Sequence, residues 1–239
     1  MPISSQLPLG LGLDDDARFE NFLLSARNRQ AIECLQGIAQ NSTAGDEQAE
    51  HFVYVWGGGS PGLTHLLQAV CHQTSLQQHS SLYLPMLDRA QFAPEILDSA
   101  GSIDLICVDD IQEIAGDSEW EAALFTAFNS IRDAQSSLIV AAHCSPSQLG
   151  LQLPDLKSRM QSGLVFQIAE LDDDEKLLAL QSRASNRGME LTDAVAEFIL
   201  LRSERRLSAL MEILDKLDRR SLQEQRRITI PLVKSTMNW

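Results

Sequence analysis

The chain has 239 residues, of which 44% are hydrophobic, and this suits one large globular domain or a domain with a smaller one attached. The formal net charge is −14 and is unevenly distributed, because residues 1–169 hold 7 Lys/Arg against 20 Asp/Glu whereas residues 170–239 hold 12 against 13. An acidic body repels nucleic-acid phosphates. Direct sequence-specific DNA binding is therefore not expected, unless the arginines of the C-terminal part gather on one face.

The sequence also argues against export and against membrane insertion. No apolar run approaches 18 residues, and the N-terminus lacks a basic segment followed by an apolar one. The four cysteines form no CxxC pair and lie in apolar settings, which indicates small core residues in a reducing compartment: Cys34, Cys71, Cys107 and Cys144. The sequence thus predicts a cytoplasmic protein without a membrane anchor.

Residues 1–16 have the composition of a flexible arm, since prolines and glycines interrupt any helix or strand. Within the arm, the hexapeptide QLPLGL carries four anchor side chains: Gln6, Leu7, Leu9 and Leu11. An exposed apolar tail is often a docking peptide. Packing of the tail on its own domain is an equally good interpretation of this segment.

The next elements form a strand–turn–helix unit. A helix is predicted over 28–40 from its apolar periodicity, and residues 41–50 are predicted to form a polar loop. The run FVYVW at 52–56 predicts a buried strand, and a helix follows the glycine-rich turn to about residue 78.

The turn itself fits the phosphate-binding loop pattern GxxxxGK(S/T) at every fixed position except the lysine, which is replaced by Leu63. Its residues are Gly57, Gly58, Gly59, Ser60, Pro61, Gly62, Leu63 and Thr64. Glycines allow backbone N–H groups to approach phosphate oxygens, the helix N-terminus adds further donors, and the hydroxyl of Thr64 suits Mg²⁺. Without the lysine, such a loop is expected to hold a diphosphate but to hydrolyse poorly. A glycine-rich turn without a ligand is the alternative.

Further strands alternate with helices up to about residue 169. Strands are predicted at 81–84, 103–109, 137–142 and 164–168, with short helical pieces at 88–99 and helices at 117–134 and 153–160. This alternation predicts an α/β fold with a parallel sheet. From residue 170 the pattern is helical, with helices from about 172 to 188, at 192–202, at 204–219 and near 229–237. The predicted domains are the arm 1–16, an α/β domain 17–169 and a helical lid 170–239.

Two carboxylates follow the apolar run LICV at the end of the predicted strand 103–109. Asp109 can hold Mg²⁺ through water, and Asp110 can orient a nucleophilic water. Alone, acids at a strand end more commonly cap the next helix. Together with a glycine turn about 50 residues upstream, they predict a nucleotide site.

Several cationic residues could act at such a site. Arg159, in PDLKSRM, is a surface charge or an arginine finger that reaches a phosphate on a neighbouring subunit, and Arg205 is a surface charge or a lid residue that contacts the chain's own phosphates. His143 is a phosphate sensor or a satisfied core histidine. His65, His72 and His79 are about 10.5 Å apart along a helix and are interpreted as face residues rather than ligands of one metal. His65, directly after Thr64, is also counted among the nucleotide-binding residues.

These motifs together resemble the AAA+ module of the bacterial initiator DnaA. The similarity rests on the glycine turn with THLLQA, the VDDI strand end, the PDLKSR segment and ERRLSAL in the lid, and it covers nearly the whole chain. The QLPLGL start, the segments EIAGDSEWEAALF and TIPLVK, and the lack of a C-terminal DNA-binding domain indicate the shorter Hda relatives, which are regulatory inactivators of DnaA. Leu63, where these relatives tend to keep a basic residue, and the pair His143–Cys144, in place of a polar Asp-Arg, depart from the pattern.

The resemblance implies a role for each motif. Gln6, Leu7, Leu9 and Leu11 would bind the β sliding clamp, and Phe19, Asn21 and Phe22 would lie near an adenine. Arg205 would be the lid sensor, and Arg159 would promote hydrolysis of ATP held by DnaA. The implied ligands are ADP and Mg²⁺, and a homo-oligomer such as a dimer is compatible with this fold class. One alternative is a self-sufficient AAA+ ATPase that uses Asp109 and Asp110 without the lysine. The other is a helicase-loader-like protein.

Overall fold

The computed structural model describes residues 13–40, 51–59 and 62–239. The docking residues predicted in the arm, and Ser60 and Pro61 of the glycine turn, lie outside these ranges. Five strands form one sheet in the order β2-β3-β4-β1-β5, and every neighbouring pair is parallel. The strands are β1 (Phe52–Trp56), β2 (Ser81–Pro85), β3 (Leu105–Asp109), β4 (Ser137–Ala142) and β5 (Leu164–Gln167). The predicted parallel α/β fold is confirmed.

Helices cover both faces of the sheet and bury a separate core on each face. The helices are α1 (Arg29–Gln40), α2 (Leu63–Leu76), α3 (Ser118–Asp133) and α4 (Pro154–Met160). Side chains alternate along β1, so that Val53 and Val55 pack with α1 and α2, whereas Phe52 and Tyr54 pack with α3 and α4. All four are almost fully buried. Short 3-10 turns complete the connections at Phe19–Asn21, Met86–Gln91, Pro94–Leu97, Ala100–Ser102 and Ile111–Ile114.

The C-terminal part is helical and has a core of its own. Its helices are α5 (Asp173–Asn186), α6 (Asp193–Arg202), α7 (Leu207–Glu224) and α8 (Ile230–Met237). The first begins with a capping box, in which Asp172 accepts from the amide of Glu175 and Glu175 accepts from the amide of Asp172. Leu180, Ile199, Leu210 and other apolar residues form the buried centre of these four helices.

Some element boundaries differ from the predicted ones for identifiable reasons. The strand predicted over 103–109 starts at Leu105, because residues 100–102 form a 3-10 turn first. Helix α2 ends at Leu76 rather than near 78, where Gln78 adopts a left-handed φ of 64°. Helix α7 begins at Leu207 and runs to Glu224, since Arg206 is extended and serves as its N-cap residue.

The segment from Asp14 to Phe22 lies between the α/β part and the helical part. The side chains of Gln68 and His72 on α2 bond to the backbone of Asp14, and Asn186 on α5 donates to the side chain of Asn21. Within the α/β part, the side-chain amide of Asn28 exchanges two hydrogen bonds with the backbone of Ala169, just after β5, at 2.8 and 3.0 Å. The N-terminal segment thus holds the two parts together.

Within the described ranges, no helix has the length and apolarity needed to cross a bilayer. The cysteine prediction is half right. Cys71 and Cys107 are buried core residues, but Cys34 and Cys144 are only partly buried. None of the four forms a disulfide bond.

Candidate nucleotide-binding site

A cavity of about 520 Å³ lies between the carboxyl end of the sheet, the N-terminal segment and the lid helices. Its size is typical of a small-molecule site, and its position at the ends of parallel strands is where open α/β sheets bind ligands. Ten residues singled out from the sequence line this cavity: Asn21, Phe22, Gly59, Gly62, Leu63, Thr64, His65, Asp109, Asp110 and His143. The structure therefore brings the glycine turn and the acidic strand end together.

The glycine turn connects β1 to α2 and has the backbone of a phosphate cradle. Gly59 and Gly62 adopt left-handed φ angles of 76° and 88°, which favour glycine. A Cβ at Gly62 would lie 2.9 Å from the ring of Phe22, and one at Gly59 would overlap the carboxylate of Glu170. A side chain at either position would therefore collide with a neighbour, and the carboxylate of Glu170 already lies against Gly59.

Leu63 stands at the first position of α2, where the phosphate-loop lysine is missing. It is only 6% exposed and packs in the core that α1 and α2 form against the sheet, while part of it faces the cavity. Helix α2 still presents its free N-terminal amides at this point, because Gly62 offers no side-chain cap. An anion bound at this turn would therefore meet backbone amides and no ammonium group at this position.

Asp109 lies at the end of β3, and it is the most buried carboxylate of the cavity. Its Oδ2 accepts a 2.8 Å hydrogen bond from the Tyr83 hydroxyl, and it also bonds to Thr64 and to the amide of Asp110. Burial raises the pKa of Asp109, and the hydrogen bond from Thr64 opposes that rise, whereas the charge of Asp110 adds to it. Burial likewise raises the pKa of Tyr83, which stays a neutral donor.

Asp110 forms a small polar network with Gln112 and His143. Its Oδ1 accepts from Nε2 of Gln112 at 2.9 Å and lies 3.0 Å from Nε2 of His143. Asp110 lines the cavity and has a left-handed φ of 54°, a conformation that aspartate adopts more readily than most residues other than glycine. The side chain of His143 is 55% exposed, so the core-histidine alternative is wrong for this residue.

Predicted face residues of α2 also contact the N-terminal segment. Nε2 of His65 donates to the carbonyl oxygen of Arg18 at 2.8 Å, and His72 makes the equivalent bond to Asp14. Burial lowers the pKa of His65, so that its ring stays neutral at physiological pH. This histidine shapes the cavity wall through the backbone of the N-terminal segment.

A buried arginine of the lid was missed by sequence reasoning. Arg183 on α5 lines the cavity, and its guanidinium binds the backbone and carboxylate of Asp16. Arg187, one turn further on, binds Asp16 at 2.7 Å and also pairs with Asp215 on α7. The only sequence signal was two arginines four apart on a helix, a pattern that also fits a solvated face.

Four predicted nucleotide-binding residues do not line the cavity. Arg205 donates from Nη1 to Asp173 at 2.7 Å in an exposed ion pair, outside the cavity lining. Phe19 faces a smaller space of about 250 Å³ beside α2, together with His72 and Leu76. Gly57 donates its amide to Ala142, and Gly58 is exposed. Exposed ion pairs contribute little stability, so Arg205 is held only weakly where it lies.

Arg159 lies on α4 and not at the cavity of its own chain. Its guanidinium lies 5.6 Å from the ring centroid of Phe128, a buried residue of α3, in a cation–π arrangement. Across 13–40, 51–59 and 62–239, no carboxylate forms an ion pair with it. The side chain is therefore oriented by Phe128 while its charge remains available to a partner.

The charges of the cavity suit a magnesium nucleotide better than a bare one. Five lining carboxylates come from Asp14, Asp109, Asp110, Glu212 and Asp215, whereas the lining arginine is neutralised by Asp16. A polyphosphate alone would be repelled, and a bound divalent cation would offset both groups of negative charge. Thr64 and Asp109, which already contact each other, are the residues that fit Mg²⁺. No described set of three acidic, histidine or cysteine side chains holds a metal alone.

A sheet of this order, with a glycine turn after β1, an acidic pair at the end of β3 and a helical lid, defines an AAA+ nucleotide-binding module. Two family models match the chain: the bacterial DnaA ATPase domain over residues 13–167, and the Hda lid domain over residues 173–237. The chain belongs to the bacterial DnaA ATPase family and is an Hda-like member of it, a DnaA-related replication regulator. A Haemophilus influenzae protein of uncharacterised function is 37% identical to it over 99% of this chain and 100% of its own length.

Solved structures support the same fold. Domain III of the Thermotoga maritima replication initiation protein DnaA has a TM-score of 0.78 at 20% identity, covering 95% of this chain and 98% of that one. AMPPCP-bound DnaA from Aquifex aeolicus has a TM-score of 0.70 at 21% identity, covering 89% and 70%. The Thermotoga maritima branch-migration motor RuvB has a TM-score of 0.66 at 17% identity, covering 93% and 71%.

Proposed function

We propose that this protein is a nucleotide-bound adaptor that inactivates DnaA by stimulating hydrolysis of the ATP bound to DnaA. In this proposal its own cavity retains ADP with Mg²⁺, its arm docks on the β sliding clamp, and Arg159 acts as an arginine finger in trans. The Hda-type lid and the DnaA-type ATPase domain support a partner in the DnaA pathway. The AMPPCP bound to DnaA from Aquifex aeolicus supports a nucleotide as the ligand of this fold.

The observation that supports the proposal is the contrast between the chain's own glycine-rich loop and Arg159. The chain's own loop has Leu63 where the ammonium group would be, whereas Arg159 has no carboxylate partner among the described residues and lies away from its own cavity. A guanidinium supplied to another subunit's phosphates neutralises charge in the transition state and accelerates hydrolysis. The chain is therefore better equipped to complete a partner's site than its own.

Reconstituted hydrolysis tests this role directly. ATP-loaded DnaA, clamp loaded on DNA and Arg159→Ala protein are mixed, and phosphate release is followed. Because arginine fingers contribute about 10³- to 10⁵-fold to the rate, stimulation is expected to vanish while clamp binding stays unchanged. Lys157→Ala is the matched control, since Lys157 is an exposed cation on the same helix. Full stimulation by Arg159→Ala would refute the finger.

A self-sufficient ATPase remains a second candidate because Thr64, Asp109 and Asp110 are assembled at the cavity. Steady-state phosphate release by the purified protein alone separates the two functions. The adaptor should show turnover far below about 1 s⁻¹, a low rate for an enzyme. Turnover in the ordinary range, lost in Asp110→Asn, would favour the enzyme instead.

A further inference from the structure

A buried carboxylate that forms no ion pair within the described residues lies next to the start of the helix that carries Arg159. Glu121, on the first turn of α3, is only 1% exposed, and no described lysine or arginine pairs with it. Its two oxygens accept hydrogen bonds from three backbone amides, those of Gly116 at 2.8 Å, Gln152 at 2.9 and 3.0 Å and Leu153 at 2.6 Å. Buried carboxylates need such partners, so this arrangement fixes the backbone on both sides.

The two backbone segments that meet at Glu121 come from different places in the chain. Gly116 ends the short turn that begins at Asp110, and its left-handed φ of 87° directs its amide to Glu121. Gln152 and Leu153 immediately precede α4. A Cβ added at Gly116 would lie 3.4 Å from the side-chain nitrogen of Gln152, so the two segments lie close together.

Leu151 and Leu156 bury the start of α4 in the core, but the helix has no capping group of its own at its N-terminus. Leu153 is its N-cap residue and has no side-chain cap, and Pro154 at the first helical position has no N–H. The helix is only seven residues long, so its orientation depends on tertiary contacts rather than on its own stability. Glu121 supplies the negative group that this N-terminus lacks.

We propose that Glu121 is a positioning residue that sets the direction of α4, and thereby of Arg159, relative to the Asp110 turn. This inference rests on the proposed role of Arg159 in trans. Arg159 lies in the last turn of α4, so a change in the angle at Leu153 displaces its guanidinium by more than it displaces the start of the helix. A small misplacement of a catalytic group is costly because transition-state stabilisation depends on geometry.

The test is Glu121→Gln, which keeps the volume but turns an amide NH₂ toward backbone N–H donors. We expect the maximal rate of stimulated DnaA hydrolysis to fall at least tenfold, while half-maximal concentration, clamp binding and ADP retention change less than twofold. Glu119→Gln, on the same turn of α3 but exposed, should change the rate less than twofold. The double variant with Arg159→Ala should be no slower than Arg159→Ala alone.

Hydrogen exchange gives a readout that does not depend on activity. Amides of 150–160 should exchange faster in Glu121→Gln, whereas those of the sheet should not. Should this variant not fold, Glu121→Asp, which keeps the charge but shortens its reach, replaces it with the same expectations.

Three outcomes would overturn the proposal. The first is full stimulation by Glu121→Gln in a system where Arg159→Ala is inactive. The second is an equal loss of ADP retention and stimulation, which would indicate a general loss of structure. The third is full stimulation by Arg159→Ala itself, which refutes the proposed function and the positioning role together. This outcome is distinguished from the first two because Arg159→Ala keeps Glu121 intact.

Discussion

At the scale of single residues, burial of the Asp109 carboxylate at the cavity lowers the stability of the folded protein. Its pKa is raised mainly by burial. Between its ordinary pKa of 3.8 and the raised folded value, the folded state binds more protons than the unfolded state, so stability falls as pH rises through that window. Above that window the ionised carboxylate is a destabilising group, and a bound cation would relieve the destabilisation.

Replacing Asp109 by asparagine should accordingly stabilise the protein in the absence of Mg²⁺. The expected rise in melting temperature at pH 7 is about 2–4 °C for each kcal/mol gained, in a chain of this size. The same variant should lose the dependence of ADP binding on Mg²⁺, as measured by calorimetry with and without a chelator. Asp98→Asn, an exposed acid away from the cavity, is the control. A lower melting temperature would contradict the account.

Leu63 gives a prediction of the opposite kind. Leu63→Lys places an ammonium group at the start of α2, where the side chain already touches both the core and the cavity. A charge-assisted hydrogen bond contributes about 1.5–3 kcal/mol, so ATP should bind at least tenfold tighter. Leu63→Met, which keeps the volume without the charge, should leave ATP affinity unchanged in the same titration. Equal affinities for both variants would show that this position does not face phosphate.

Residue identity predicted the chemistry of the cavity better than its contacts. The glycine turn and the Asp109–Asp110 pair were readable because their spacing and their place at strand ends are fixed by backbone geometry. The ion-pair partners of Arg205 and Arg183 could not be predicted, because the fold decides which carboxylates come within reach of a long cationic side chain. Arg205 forms its ion pair with Asp173, and Arg183 forms its ion pair with Asp16.

At the scale of elements, the arm should be separable from everything else. We predict that Leu7→Ala combined with Leu9→Ala abolishes clamp binding, since apolar anchors of a docking peptide supply most of its affinity. ADP retention should be unaffected. Surface plasmon resonance on immobilised clamp measures the first and calorimetry the second, with Ser4→Ala combined with Ser5→Ala as control. Unchanged affinity of the leucine variant would remove the arm from the proposed function.

Regular elements were predictable from periodicity, but their ends were not. β1 and β4 occupy the predicted residues, since continuous apolar runs identify fully buried parallel strands. The ends of α2 and α7 differ because left-handed Gln78 and extended Arg206 depend on local backbone conformation that carries no apolar pattern. Glu121 shows the same limit, since a glutamate on a helix face predicts exposure and not four backbone hydrogen bonds.

At the scale of the whole molecule, Asp16 connects the N-terminal segment to the lid. Burial alone would raise its pKa, but the hydrogen bond from Arg187 and the charges of Arg183 and Arg187 hold it below its ordinary 3.8. A lowered acid pKa contributes stability that is present above 3.8 and is lost as pH falls through the folded value. The lid contact is therefore expected to persist at neutral pH and to weaken in strong acid.

Asp16→Asn should lower unfolding stability at pH 7 by about 1 kcal/mol, the upper end for a pair in which the acid is 41% exposed. The deficit relative to the unchanged protein should shrink steadily below pH 3.8. Chemical denaturation at pH 7 and at pH 3 measures it, and Asp15→Asn, an exposed neighbour, is the control. A deficit that is the same at both pH values would mean that the charge of Asp16 is irrelevant to the lid.

The bond between Asp16 and Arg183 spans 167 positions of sequence. The N-terminal segment, which forms one wall of the cavity, therefore leaves the ribosome long before α5, which closes the opposite wall, has been synthesised. The sheet can form as soon as β5 has emerged, but the growing polypeptide cannot enclose a ligand until α5 is also outside the exit tunnel. Because Met211 and Asp215 of α7 line the same cavity, ligand capture belongs to the last stage of biosynthesis, and a chain interrupted before α5 would leave an open, acidic cleft.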